Sequence, residues 1–356
     1  MNNNFCYIHI PFCTSKCKYC HFASFGNLNE VKVALYVEHL LDEINNNKMD
    51  FNNLKSIYFG GGTPSVLSIK QLGSIIKALK NKYNFDKKIE INLEATPITI
   101  TKENIISWKK IGINRLSIGI QTLNNDSLIE IGRGKKGDII GALGNINQIG
   151  FDNVSVDFII GLPHVKKGGI KKEIKYILDN YTFIKHISVY MLEEQYYPGN
   201  WDDLSINEKD YLEEYIEISN FLKNKGFNKY EVSNFALSGY ECIHNKAYWD
   251  HSNILAFGLG AHGFINNIRY SNSEKFVDYY LGKQKSEEKL IANDLFLEKV
   301  MFQLRTNGLT KKTYEKLDTD KINYFIEEKY LEKKSDKIIL SDKGVLVLDY
   351  ILGKIV

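Results

Sequence analysis

The strongest constraint in this sequence is a rhythm. Through the first half, short β-like runs alternate with helical runs. Strands are expected over 5–9, 54–59, 89–94, 115–120, 153–159 and 186–191. Helices are expected over 31–45, 68–82, 101–110, near Asp126 and over 169–178, with Thr101 as an N-cap. Six such steps in a row predict an α/β fold on a parallel sheet, either open or closed toward a barrel. Polar or glycine residues recur where the strands end. Gly60-Gly61-Gly62-Thr63 follows the second strand, Glu94 sits at the third, Gln121 follows the fourth and Asp157 lies in the fifth. That favours a barrel or partial barrel, whose C-terminal rim carries the active site. Charges at several rim positions are costly to bury unless a ligand meets them.

The pattern changes near Tyr196. An amphipathic helix is expected over 205–225, and 227–261 reads as an aromatic, glycine-rich loop region. The tail, 294–356, reads as three helices, a short strand over 337–340 and a last helix, which resembles a winged-helix module. The expected division is a barrel over 1–195, a cap over 196–290 and the tail module over 291–356. With 356 residues, 44% of them hydrophobic, the chain can bury a sizeable core, which excludes a disordered or fibrous protein. A net charge of +3 is too small to argue for nucleic acid or an anionic membrane. The tail, with 12 Lys and Arg against 11 Asp and Glu, carries no basic stripe for DNA. No apolar run approaches the ~20 residues a bilayer needs. No basic residue precedes the first apolar stretch, so a signal peptide is not expected and the chain reads as cytoplasmic.

Five cysteines is an odd number, and Cys13, Cys17 and Cys20 sit together after the first strand. In a reducing compartment such a group points to metal or catalysis rather than to disulfides. The C-x3-C-x2-C spacing suits a cubane iron–sulfur cluster with one iron left open. The alternative is a structural zinc site completed by His21 or His9. Gly60-Gly61-Gly62-Thr63-Pro64 allows close approach of a ligand to backbone, or makes a tight turn; it is not a Walker loop. Glu94, Gln121, Arg133 and Asp157 are singly weak, since a lone acid at a strand end is often a cap. Together they suit an amino-acid nucleoside. His244, Asn245, Tyr248 and Trp249, followed by Gly258, Gly260, Ala261 and His262, form a third group. Its composition favours a packed lid; the functional alternative is a flat aromatic ligand with His as an axial ligand to haem iron.

These motifs, in this order, resemble the radical S-adenosylmethionine (SAM) family related to oxygen-independent coproporphyrinogen III oxidase. The resemblance runs from Tyr7-Ile8-His9-Ile10-Pro11-Phe12-Cys13 through Gly60–Pro64, Leu93-Glu94, Gly119-Ile120-Gln121, Ile131-Gly132-Arg133 and Asp157 to Pro163. It implies a partial (β/α)6 barrel with an added C-terminal region. It implies a [4Fe-4S] cluster on Cys13, Cys17 and Cys20, and SAM at Tyr7, Tyr19, Gly61 and Glu94. Gly62, Thr63, Gln121, Arg133 and Asp157 match positions of a second SAM in the oxidase. The oxidase has a further cysteine where this chain has Phe22, and an extension before the first strand that is not expected here. His244-Asn245-x-x-Tyr248-Trp249 instead resembles the haem chaperone branch. That implies haem binding and delivery to respiratory enzymes, and reverses the packed-lid reading of this group. Lys135 stands where family members often have His.

Overall fold

The computed structural model describes residues 4–49, 51–134, 137–193, 198, 201 and 206–356. Lys135 and Tyr196 lie outside them, as does Ser205. The alternating pattern folds as β1 (Asn4–Ile10), α1 (Glu30–Asn46), β2 (Leu54–Gly61), α2 (Ile69–Tyr83), β3 (Glu90–Ala95) and α3 (Lys102–Lys110). It continues through β4 (Arg115–Gln121), α4 (Asn125–Glu130), α5 (Ile139–Ile149), β5 (Val154–Ile160), α6 (Gly169–Asn180) and β6 (Ile184–Met191). Each of these strands pairs parallel with the next. The helix starts are written locally: Asn29 and Thr101 accept from backbone N–H groups of the first turn, and Ser68 with Gln71 closes a capping box. Near Asp126 there are two helices rather than one. The second, α5, carries Gly141 and Gly144, whose poor helix propensity hides it from a sequence reading.

The loop-like reading of 227–261 is corrected. After α7 (Glu208–Asn224) come β7 (Asn228–Lys229), β8 (Asn234–Ala236), α8 (Ile243–Tyr248) and β9 (Asn253–Phe257). β9 runs parallel to β1 and joins the main sheet on that side. All five of its residues are buried, so it shows none of the alternation that betrays a half-exposed strand. β10 (His262–Ile265), β11 (Ile268–Asn272) and β12 (Gln284–Lys289) extend that edge, with α9 (Phe276–Tyr280) between the last two. The order is β12-β11-β10-β9-β1-β2-β3-β4-β5-β6-β8-β7, twelve strands among the described residues.

The tail contains α10 (Ala292–Arg305), β13 (Leu309–Thr310), α11 (Lys311–Tyr314), α12 (Thr319–Glu327), β14 (Leu331–Lys334), β15 (Lys337–Leu340) and α13 (Leu348–Ile355). Its strands form a small sheet, β13-β15-β14. Val300, Leu309, Phe325, Ile338 and Ile351 centre a core of their own. The expected strand at 337–340 is present. Its partner β14 was missed because Glu332, Lys333 and Lys334 are all exposed and give no apolar signal. Among the described residues no helix is long and apolar enough to cross a membrane.

The period of two along the strands decides what the curled sheet encloses. Ile57 and Phe59 of β2, Ile91 and Leu93 of β3, Leu116 and Ile118 of β4, and Val154 and Val156 of β5 belong to the main apolar core. The intervening positions are polar: Ser56 and Tyr58, Glu90, Asn92 and Glu94, Arg115 and Ser117, Ser155 and Asp157, His186 and Ser188. A closed eight-stranded barrel fills its interior with branched apolar layers. Here the interior face is polar and holds cavities instead.

Candidate functional site

The loop after β1 carries Cys13, Cys17 and Cys20. Its shape is set by two clasps. Gly62 N–H donates to Ile10 O at 2.8 Å, and Thr63 N–H donates to Phe12 O at 2.8 Å. The glycine turn after β2 therefore grips the cysteine loop by its backbone. A Cβ on Gly62 would lie 2.7 Å from Phe12 O and 2.9 Å from Ile10 O. Gly61 has φ +106°, and a Cβ there would meet the His9 ring at 2.5 Å. Close approach is indeed what these glycines permit, but at both positions the near neighbour is the protein itself.

The three sulfurs line one cavity of about 400 Å3 together with Tyr19, Gly61, Gly62, Thr63, Glu94, Gln121, Arg133 and Asp157. The thiols are individually attended. Thr63 Oγ1 donates to Cys13 Sγ at 3.4 Å, Arg133 Nε donates to Cys17 Sγ at 3.3 Å, and Ser24 Oγ lies 3.9 Å from Cys20 Sγ. Thr63 and Arg133 thus reach the thiols themselves as well as the cavity where a second SAM was expected. Arg133 also donates to Gly119 O. Gln121 holds a left-handed φ of +66° at a bulge between β4 and β5, which turns the chain at the rim.

The donor set fits a polynuclear group. Among the described residues no three His, Cys, Asp or Glu side chains converge on the position of a single metal ion. His9 is committed elsewhere: Nε2 lies 2.8 Å from Ala23 O and Nδ1 lies 3.1 Å from Tyr7 Oη. A carbonyl only accepts, so Nε2 carries the proton and Nδ1 accepts from the tyrosine. Burial lowers the pKa of His9 to about 4, so the ring is neutral. Three thiols spread around one cavity, each with its own polar neighbour, suit a cluster that takes one thiolate per iron.

A second cavity of about 530 Å3 fills the sheet interior and shares Gly61, Glu94, Ser117 and Tyr190 with the first. Phe22, 55% exposed and stacked on His21, borders both. Glu94 stands where the cavities meet, accepting from Tyr58 Oη at 2.8 Å. Burial raises its pKa to about 7, against the hydrogen bonds from Tyr58 and the Gly61 N–H. Asp157 is also pushed up by burial, although Ser117 and Ser155 donate to it.

The inner cavity brings in α8. Glu90, buried on β3, accepts from the N–H groups of Ile243 and His244 at 3.2 and 3.1 Å, fixing the start of this short helix. His244 is 1% exposed. Its Nδ1 lies 2.7 Å from Ser56 Oγ, its ring stacks on Tyr58 at 5.0 Å, and Nε2 has no partner among the described residues. Tyr248 meets His244 edge-on at 5.4 Å and also lines the cavity. Asn245 Nδ2 donates to Tyr230 Oη at 3.2 Å, which in turn lies 2.8 Å from His186 Nε2. Trp249 is a different matter. It is absent from both cavity walls and packs against Phe302 at 5.5 Å with Arg305 above its ring. Its ring faces the tail module, because α8 ends there.

The site residues missed in the sequence are Ser56, Tyr58, Glu90, Asn92, Arg115, Ser155, His186 and Tyr230. A signal existed for most of them. Polar side chains at every second position of otherwise apolar strands mark an interior built for a ligand.

The model of the radical SAM superfamily matches residues 7–177. The heme chaperone HemW of Buchnera aphidicola subsp. Schizaphis graminum is 33% identical, over 97% of this chain and 96% of that protein. HemW of Lactococcus lactis subsp. lactis is 31% identical, over 96% and 94%. The solved coproporphyrinogen III oxidase (HemN) of Escherichia coli, a radical SAM enzyme, superposes with a TM-score of 0.84 at 20% identity. It covers 99% of this chain and 89% of the oxidase, and at that identity the likeness is one of fold.

Proposed function

The chain belongs to the heme chaperone HemW family, within the radical SAM superfamily, and on that premise we propose that it binds a [4Fe-4S] cluster, SAM and haem and hands the haem to acceptor proteins. Cys13, Cys17 and Cys20 hold the cluster. Tyr19, Gly61 and Glu94 hold SAM, with Tyr7 reaching it from the adjoining inner cavity; Gly62, Thr63, Gln121, Arg133 and Asp157 complete the cysteine cavity. Together the bound cluster and SAM supply radical chemistry; the protein's part is to orient them and exclude water. The acceptors are respiratory enzymes, met in the cytoplasm or at the inner face of the membrane.

The observation that carries the haem reading is His244 Nε2, a buried nitrogen with no partner among the described residues, on a side chain that lines a large cavity. Burial holds the imidazole neutral, with its pKa near 3. With Nδ1–H donated to Ser56 Oγ, Nε2 presents its lone pair, as an axial ligand must. Tyr248 supplies an aromatic surface beside it.

The test is a haem titration of anaerobically reconstituted protein, read at the Soret band. The native protein is expected to bind haem and to leave coproporphyrinogen III undecarboxylated. His244→Ala shifts the band and weakens binding about tenfold or more. Trp249→Ala leaves the band in place, because its ring packs on the tail module. A native protein without a haem Soret signal, or one that decarboxylates at enzyme-like rates, overturns the reading.

Glu94 gives a pH prediction. Its carboxyl must be ionised to meet the ammonium group of SAM. With a ligand-free pKa of about 7, affinity plateaus above pH 8 and falls about tenfold per pH unit below 6. Stability of the ligand-free protein runs the other way. The raised pKa contributes stability that is full below the unfolded value of ~4.3 and is lost as pH rises through 7. Glu94→Gln flattens both profiles; calorimetry between pH 5.5 and 8.5 checks it, and an unchanged slope in the variant refutes the assignment.

A further inference from the structure

The interior cavity has a floor that neither the cluster nor an axial histidine uses. Asn92, in the middle of β3, is completely buried and lines this cavity, yet neither its Oδ1 nor its Nδ2 has a partner among the described residues. Leaving both ends of a buried amide unmade is expensive, and an apolar residue of similar shape would avoid the cost. Arg115, 1% exposed, opens β4 at the same level. Its Nη1 donates to two neutral acceptors, Asn153 Oδ1 and Tyr240 O, each at 2.9 Å. Glu90 and Asp157 lie near enough to attract it, but their hydrogen bonds go elsewhere: Glu90 to the first turn of α8, and Asp157 to Ser117 and Ser155. A buried guanidinium whose hydrogen bonds go to neutral groups favours an anion. Glu94 lies toward the C-terminal ends of the strands, and Glu274 is exposed at the mouth. An anionic group is therefore repelled at the top and attracted at the floor.

We propose that this floor is a carboxylate seat: Asn92 Nδ2 and the Arg115 guanidinium receive a propionate arm of the haem whose iron meets His244. The proposal rests on the haem reading above and adds which end of the ligand enters the sheet interior. Asn92 Oδ1 is then served by a water, for which a cavity of about 530 Å3 leaves room. One cavity thus offers an aromatic wall of Tyr58 and Tyr248 to the macrocycle and a cationic, amide-bearing floor to its acid arm. The seat selects the free acid over the ester, since an ester has no charge to offer Arg115.

The experiment compares haem with haem dimethyl ester, each titrated into the reconstituted full-length protein at the Soret band. The native protein is expected to bind haem about tenfold or more tightly than the ester. Asn92→Leu narrows that gap to within about threefold and leaves the Soret position unchanged, because the iron ligand is untouched. The ligand-free Asn92→Leu protein melts no lower than the native one, since the change removes unpaired polar atoms rather than contacts. Arg115→Lys keeps the charge and retains part of the preference. Equal affinity for acid and ester in the native protein overturns the proposal while leaving the haem reading intact. So does an undiminished preference in Asn92→Leu, or a melting temperature lowered by several degrees, which would make Asn92 a structural residue with water as its partner. Binding of neither compound removes the haem reading and this inference with it.

Discussion

Alanine at Cys13, Cys17 or Cys20 abolishes the iron–sulfur cluster. Anaerobically reconstituted native protein is expected to carry about four irons and four sulfides per chain with a broad visible absorbance. Each variant loses most of that iron, because a cluster with only three protein thiolates has none to spare. Cys6→Ala and Cys242→Ala keep it. Cys6 is fully buried in β1, and its thiol is held neutral by burial and by nearby Glu43. Cys242 caps α8, accepting from Asn245 N–H at 3.4 Å, and burial pushes its thiol pKa up to about 12. Neither is a thiolate within the cavity that holds the other three. Iron and sulfide assays decide it. Full iron in any of the three single variants, or stoichiometric zinc in place of iron, refutes the assignment.

Gly62→Val is the second large effect, and it separates the glycine turn from the ligand. The added Cβ would stand 2.7 Å from Phe12 O and 2.9 Å from Ile10 O, which are backbone atoms that cannot swing aside. Both carbonyls are the acceptors that tie the cysteine loop to this turn. Overpacking of this kind costs ~1–3 kcal/mol. Relief comes by moving the loop that bears Cys13. Cluster content and SAM affinity are therefore expected to fall together, with at least half the iron lost. Glu94→Gln, by contrast, keeps the cluster and weakens only SAM binding. Gly144→Ala is the control: its Cβ meets nothing within 4 Å, and the change in mid-helix stabilises by ~1 kcal/mol. Iron content, SAM calorimetry and melting temperature are read on all three. A Gly62→Val protein with full iron and weakened SAM binding would mean that the ligand, and not the loop, needs the glycine.

The contrast between α5 and β9 on one side and β2 to β6 on the other shows where sequence reading runs out. The strands of the parallel core announce themselves by branched apolar residues between glycine and polar punctuation. β9 has the same apolar character but lies in a region of turns, and only its pairing with β1 distinguishes it from a loop. Trp249 makes the same point within the site. Its motif neighbours His244, Asn245 and Tyr248 line the cavity, whereas the end of α8 turns the indole onto Phe302.

Local chemistry, which needs no tertiary contact, was determined by the sequence alone: three thiols at cluster spacing, a helix cap at Thr101, six β-α steps and a polar rim. Residue type and spacing suffice for these because donors, caps and periodicity act over a few residues. Only the tertiary structure decided that Gly62 serves the cysteine loop, that Glu90 caps α8 from 154 residues away, and that Asn92 and Arg115 share one cavity with His244. Those facts depend on which strand lies beside which. Such pairings join residues far apart in the chain, and the sequence between them carries no record of the distance.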